Sequence, residues 1–152
     1  MPPKTTQAPL LDFQDEATLF SLSSEFLAAA KRLTETPALQ TNCATVTYFL
    51  VGHAAELLLK SFLFSHGDTI DDLRKRYGHD LGRLVKRARI RGLPEIVITT
   101  EIQKFSGAYN KKRMEYRKRT MLQLPPLDLL FDEVVRLQRL VFNRIARIDT
   151  EV

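Results

Sequence analysis

The sequence predicts an all-α chain: a four-helix-bundle core, a short additional helix and a disordered N-terminal tail. Three observations predict it. Apolar residues recur at helical spacing along four substantial stretches. The one β-branched run, Ile96 to Thr100, has no second strand to pair with. The stretch Val46 to Gly67, VTYFLVGHAAELLLKSFLFSHG, is apolar on nearly every side, as expected of a helix enclosed by its neighbours. With 152 residues, 44% hydrophobic and 27% charged, the chain fits one ordinary globular domain, assigned here to 12–150, with 1–11 as a flexible tail.

The first helix is expected over Asp12 to Leu33. Leu19, Leu22, Phe26, Ala30 and Leu33 form its inner stripe, and Asp12, Asp15 and Glu16 supply acid at its start. Thr36-Pro37 offers a capping hydroxyl and a first-turn proline, so the central helix starts there or near Thr41 and runs to Ser65, stopped by Gly67. Asp68 to Tyr77 reads as a short charged connector helix, interrupted by Gly78. Asp80 then caps a helix over Leu81 to Arg91, with Leu81, Leu84, Val85 and Ala88 inward and Arg83, Lys86, Arg87, Arg89 and Arg91 outward.

Gly92 closes that helix, and Pro94 opens the next, expected over Pro94 to Arg119. Its stripe of Ile98, Ile102, Phe105 and Tyr109 leads on to Lys112 or Arg113 and then Tyr116, so one face passes from core into cations and tyrosines. After a Pro125-Pro126 turn, the last helix spans Leu127 to Ile148. Leu127, Leu130, Val134, Leu137, Val141, Ile145 and Ile148 face inward; Arg136, Arg139, Asn143, Arg144 and Arg147 lie outside the stripe.

The net charge of +5 is unevenly spread. Residues 74–119 hold fifteen Lys or Arg against four acids, while the rest of the chain holds eight against fourteen. A surplus concentrated in this way points to a polyanionic partner, RNA above all. A single cysteine, Cys43, excludes an internal disulfide and a cysteine-built metal site, and reads as a small packing residue. No metal motif is present and no cofactor is expected. Met1 to Pro9 is polar and lacks the apolar stretch of a signal peptide; His53, Glu56 and Lys60 break the longest apolar run, so no membrane span and a cytoplasmic location are expected.

The helix written His-Ala-Ala-Glu-Leu-Leu-Leu-Lys (His53 to Lys60), then Gly67, a short linker, His79-Asp80-Leu81 and Leu84, resembles the first half of HEPN domains. These are small α-helical domains named for higher eukaryotes and prokaryotes nucleotide-binding. Tyr109, Arg113 and Tyr116-Arg117 are similar to a Tyr/Arg region that some of them carry. The resemblance covers about half the chain, Thr41 to Arg119. It implies a four-helix bundle that dimerises and a kinship with metal-independent ribonucleases of toxin–antitoxin and other defence systems. Their signature, an Arg followed after four to six residues by a His in the C-terminal half, is not found in that place. The histidines are His53, His66 and His79; Arg74 and His79 match the spacing, but in the linker before the third long helix. The resemblance therefore implies a divergent or degenerate relative.

Candidate residues follow. His53, Glu56 and Lys60 fall on one helical stripe and are expected to form a polar network; His53 and Glu56, with Arg113 and Arg117, are also the candidates for catalysis. Tyr109, Lys112, Arg113, Tyr116, Arg117 and Arg119 are the candidates for RNA or nucleotide binding, cations for phosphates and tyrosines for bases. His79 is read as bonding locally beside its cap, and His66 as a helix C-terminal residue favoured by the dipole. Two other readings stand beside the first. One is an interaction module docking an acidic partner such as a nucleotidyltransferase antitoxin. The other is a DNA-binding helix-turn-helix over Asp71 to Arg91.

Overall fold

The computed structural model describes residues 15–35, 44–110 and 124–150, with side chains to 147. The chain runs through α1 (Glu16–Glu35), α2 (Ala44–Ser65), a one-turn α3 (Ile70–Asp72) that passes into a π-helical turn (Leu73–Tyr77), α4 (Leu81–Ile90), α5 (Thr100–Asn110) and α6 (Leu127–Thr150). No strand occurs among the described residues, and the helices pack into one all-α bundle. The expected tail over 1–11, the Thr36-Pro37 step, Cys43 and the stretch 111–123 lie outside the described residues.

α2 is the axis. Val51, Ala54, Ala55, Leu58, Leu59 and Leu63 have no exposed surface. α1 packs along one side of it, and α6, α4 and α5 complete the wrapping. Truncating a side chain so enclosed, such as Leu58, costs about 2–5 kcal/mol. α2 is also long and apolar enough, by length and composition alone, to cross a membrane; most of it is buried inside the bundle, the position of a core helix.

Two elements depart from the sequence expectation. α1 begins at Glu16 rather than near Asp12, because Asp15 Oδ1 accepts from the Thr18 amide at 2.7 Å; that bond also holds the Asp15 carboxyl below its ordinary range. Its buried line is Leu19, Ser23, Leu27 and Ala30, while Leu22 is exposed and Phe26 and Leu33 are half-buried. Ser23 can sit inside because its hydroxyl donates to the Phe20 carbonyl at 2.6 Å.

The helix expected from Pro94 starts only at Thr100, so Ile98 is exposed instead of inward, and Ile96 more so. Residues 93–99 form a turn whose carbonyls are gathered by Arg89. Its guanidinium donates to Pro94 O, Val97 O and Thr99 Oγ1. The start of α5 is then fixed from across the bundle, where Glu133 of α6 accepts from the amides of Glu101 and Ile102 at 3.1 and 3.0 Å. From there Ile102, Phe105 and Tyr109 face inward on the expected stripe.

α4 buries Leu81, Leu84, Val85 and Ala88, as its pattern requires, and α6 buries Leu130, Val134, Leu137, Val141 and Ile145. Leu127 is half-buried, and the Ile148 side chain lies outside the described residues. Three of the α4 cations expected to face outward are tied down. Arg87 and Arg91 both bond Asp68, at 3.0 and 2.7 Å, and Arg89 holds the 93–99 turn.

Candidate functional site

The bundle encloses one charged centre on α2. Glu56 is 2% exposed, yet four polar side chains converge on its carboxylate. His79 Nδ1 lies 2.6 Å from Oε1, and the Tyr109 hydroxyl donates to the same oxygen at 3.2 Å. Lys60 Nζ donates to Oε2 at 3.4 Å, and His53 Nδ1 stands 3.8 Å from it. Tyr109 Oη is also 2.9 Å from His53 Nδ1, which closes the network. A carboxylate only accepts, so His79 carries its proton on Nδ1. The outer edge of that ring is left open: the His79 side chain is 63% exposed. Tyr109 has a single proton to give, to Glu56 or to His53; when it goes to Glu56, the phenol oxygen is free to accept from His53.

Local sequence explains how these groups meet. His53, Glu56 and Lys60 share one face of α2 through i, i+3 and i+7 spacing. His79 is delivered by the chain reversal that follows the π-helical turn. Leu73 anchors that turn in the core, and Gly78 takes φ of +50°, where a side chain is disfavoured. Asp80 holds the next step: its Oδ1 accepts from the Arg83 amide at 3.1 Å, capping α4, and from the Ser106 hydroxyl of α5. Tyr109 approaches because α2 carries Gly52 opposite it. A Cβ there would lie 2.5 Å from Phe105 Cε1 and 2.9 Å from Tyr109 Cδ2.

Electrostatics sort the members. Burial holds His53 below the ordinary imidazole value; the charge of Glu56 opposes this, while His79 and Lys60 add to it. His53 is therefore a neutral ring, set edge-on to Phe26 at 4.6 Å and stacked with Phe49 at 5.9 Å. The Tyr109 phenol is driven far up, first by burial and then by the Glu56 charge, so it stays a donor throughout the physiological range. The arrangement can orient an exposed imidazole, share protons between two histidines through a phenol and a carboxylate, and fix α2 to α5.

A second charged centre lies beyond it. Asp68 is 6% exposed; burial opposes its charge, but the hydrogen bonds from Arg87 and Arg91 outweigh that and hold the carboxyl below its ordinary range. The basic surplus is thus partly spent inside the fold. Arg74, Lys75, Arg76, Arg83 and Lys86 remain exposed around the π-helical turn and α4, with Arg83 over the Tyr77 ring at 5.8 Å.

Of the residues singled out in the sequence, His53, Glu56 and Lys60 come together with Tyr109, and Asp80 caps α4. Two assignments are corrected. Tyr109 is 7% exposed and bridges the network, so its ring is not open for a base to stack on. His79 bonds not locally but to Glu56, 23 residues back in the chain. His66 Nδ1 bonds the Phe62 carbonyl at 2.7 Å at the end of α2. Lys112, Arg113, Tyr116, Arg117 and Arg119 lie outside the described residues. The α3–α4 segment proposed as a helix-turn-helix buries Leu73, Leu81, Leu84, Val85 and Ala88 in the common core. No group of three or more metal-ligating side chains occurs among the described residues.

Fold and site together define an all-α helical bundle organised around a buried carboxylate that holds an exposed imidazole. Comparison with protein-family models, with curated proteins and with solved structures finds no match for this chain.

Proposed function

We propose that this chain is a HEPN-like RNA- or nucleotide-binding protein, a divergent or degenerate relative of the metal-independent ribonucleases of toxin–antitoxin and defence systems. The observation that carries the reading is the concentration of fifteen cations over 74–119, which brackets both His79 and Tyr109 of the Glu56 network. Of these, Arg87, Arg89 and Arg91 are held by the buried Asp68 and the 93–99 turn. Phosphate backbones are recognised by such concentrations of Lys and Arg. Lys111, Lys112 and Arg113 follow directly in sequence on Asn110, the last residue of α5. Within this reading the chain acts as a homodimer in the cytoplasm, with Arg113 and Arg117 as the phosphate contacts.

If it cleaves RNA, His79 is the best-presented base among the histidines. Glu56 fixes its Nδ1–H, which leaves Nε2 unprotonated and directed outward in the neutral ring. The test is RNA binding and cleavage by the purified chain across a salt series with EDTA present, beside Arg113→Ala/Arg117→Ala and His79→Ala. Binding that falls steeply with salt and is lost in the arginine variant supports an RNA-binding domain. Cleavage lost in His79→Ala with binding kept makes it a ribonuclease. Absence of both rejects the RNA reading.

A second reading, docking of an acidic protein partner, is favoured by one observation. Ile90, Ile96 and Ile98 are 75%, 86% and 54% exposed on the segment that joins α4 to α5, beside the basic face. Tight, salt-resistant capture of one protein with weak RNA binding would support it.

A further inference from the structure

The outer face of α6 carries cations that neither charged centre uses. From Val134 to Ile148 the helix contains four arginines and no acid. Two grooves run along its flanks and meet at Asn143. One, of about 350 Å³, lies against α1 and is lined by Phe20, Gln138, Arg139 and Phe142. The other, of about 260 Å³, lies between α6, the end of α2 and the 92–94 turn, and includes Phe62, His66, Arg144 and Arg147. No carboxylate lines either groove among the described residues. Phe142 is 55% exposed and its ring stands 5.7 Å from that of Phe20.

We infer that this face of α6 is a binding track for single-stranded RNA, in which a base stacks on Phe142 and Arg139 and Arg144 hold the flanking phosphates. The inference rests on the RNA reading but assigns a site that uses none of residues 109–119. Three features select the occupant. One exposed aromatic ring, Phe142, set among guanidinium groups matches what single-stranded nucleic acid requires, a π-face for the base and positive charge for the backbone. Grooves of about 260 and 350 Å³ have room for a splayed base. A second copy docking through the same face would bring no groove-lining carboxylate, among the described residues, to meet Arg139 and Arg144, whereas a phosphate backbone brings its own charge.

The test measures binding of a fluorescent single-stranded oligoadenylate to the full chain by anisotropy, at several salt concentrations. Compared are the unaltered chain, Phe142→Ala, Phe142→Tyr, Arg139→Ala/Arg144→Ala and Arg113→Ala/Arg117→Ala. Arg139, Phe142 and Arg144 are exposed, Arg113 and Arg117 lie outside the described residues, and a thermal melt checks each variant's fold. Loss of one stacked base weakens binding by about 5- to 150-fold in Phe142→Ala, with recovery in Phe142→Tyr. Removing two phosphate contacts lowers the slope of log affinity against log salt by about 1.4 in the α6 arginine variant.

Unchanged binding in both α6 variants, with loss in Arg113→Ala/Arg117→Ala, overturns the track and leaves the RNA reading standing. Loss in the arginine variant alone, with Phe142→Ala binding normally, overturns the stacking geometry. A dimer that falls apart in Phe142→Ala assigns the face to self-association and overturns the inference. RNA binding absent from the unaltered chain overturns both the track and the reading beneath it.

Discussion

Glu56 and His79, 23 residues apart in the chain, meet through a 2.6 Å hydrogen bond between a carboxylate that is almost fully buried and an imidazole that is mostly exposed. The pair joins the axial helix to the turn that starts α4. Its oxygen Oε1 also receives Tyr109, and through it α5. Replacing Glu56 with Ala leaves the Tyr109 hydroxyl and Lys60 without their carboxylate in a buried place. The expected loss is about 2–4 kcal/mol, seen as a lower urea midpoint. Glu56→Gln, which keeps an acceptor oxygen, is expected to lose about half of that.

Gly52 decides how closely α5 approaches α2. In Gly52→Ala the new methyl meets Phe105, which is completely buried and has nowhere to turn. The substitution is expected to cost about 1–3 kcal/mol through overpacking, although alanine is the better helix former. Phe105→Leu in the same chain should relieve part of this, so that the double variant is more stable than the sum of the two singles predicts. Strict additivity in denaturant unfolding would rule out the clash.

Stability should depend on pH through His53. Its environment is the rings of Phe26, Phe49 and Tyr109, the Glu56 carboxylate, and the cationic side of Lys60 with His79. Burial lowers its proton affinity in the folded chain, so the unfolded chain takes up the proton first on acidification. The contribution is fully present above the ordinary value of 6.5 and is lost as pH falls below it. Thermal melts from pH 8 down to 5 should show the fall, and His53→Gln should flatten that part of the profile.

Asp68 and Glu133 should respond to acid in opposite directions. Arg87 and Arg91 hold the Asp68 carboxyl low, so its contribution is present above the unfolded value near 3.8 and disappears as pH falls through the folded one. Asp68→Asn should therefore be less stable than the unaltered chain at pH 7 and nearly equal to it at the acid extreme. Glu133 is pushed up, first by burial, against the pull of the Ile102 and Glu101 amides. Its contribution is largest at low pH and shrinks as pH rises through the folded value.

Glu133 nonetheless satisfies the first amides of α5. Glu133→Ala should cost about 1–2 kcal/mol and speed hydrogen exchange at Glu101 and Ile102 before other core amides. Exchange unchanged at those two positions would show that the cap is not what starts the helix.

The amino-acid sequence by itself determined that the chain is an all-α bundle with α2 as its buried axis. It determined too that Leu81, Leu84, Val85 and Ala88 face inward, that Asp80 starts α4 and that Glu56 pairs with Lys60. Each is a property of helical periodicity or of a hydrogen bond spanning three or four residues, and such regularities are written in neighbouring letters. Only the tertiary structure decided which line of α1 is buried, where α5 begins, and that His79 and Tyr109 converge on Glu56. It also decided that Arg87, Arg89 and Arg91 turn to internal partners. Apart from Arg89, which takes the carbonyls of the turn that follows it, those outcomes depend on groups that lie from about twenty to more than fifty residues away or on another helix: Glu133 for α5, Asp68 for Arg87 and Arg91. A buried charge or amide takes whatever partner the packed chain brings within about 3 Å, and local spacing carries no record of that choice.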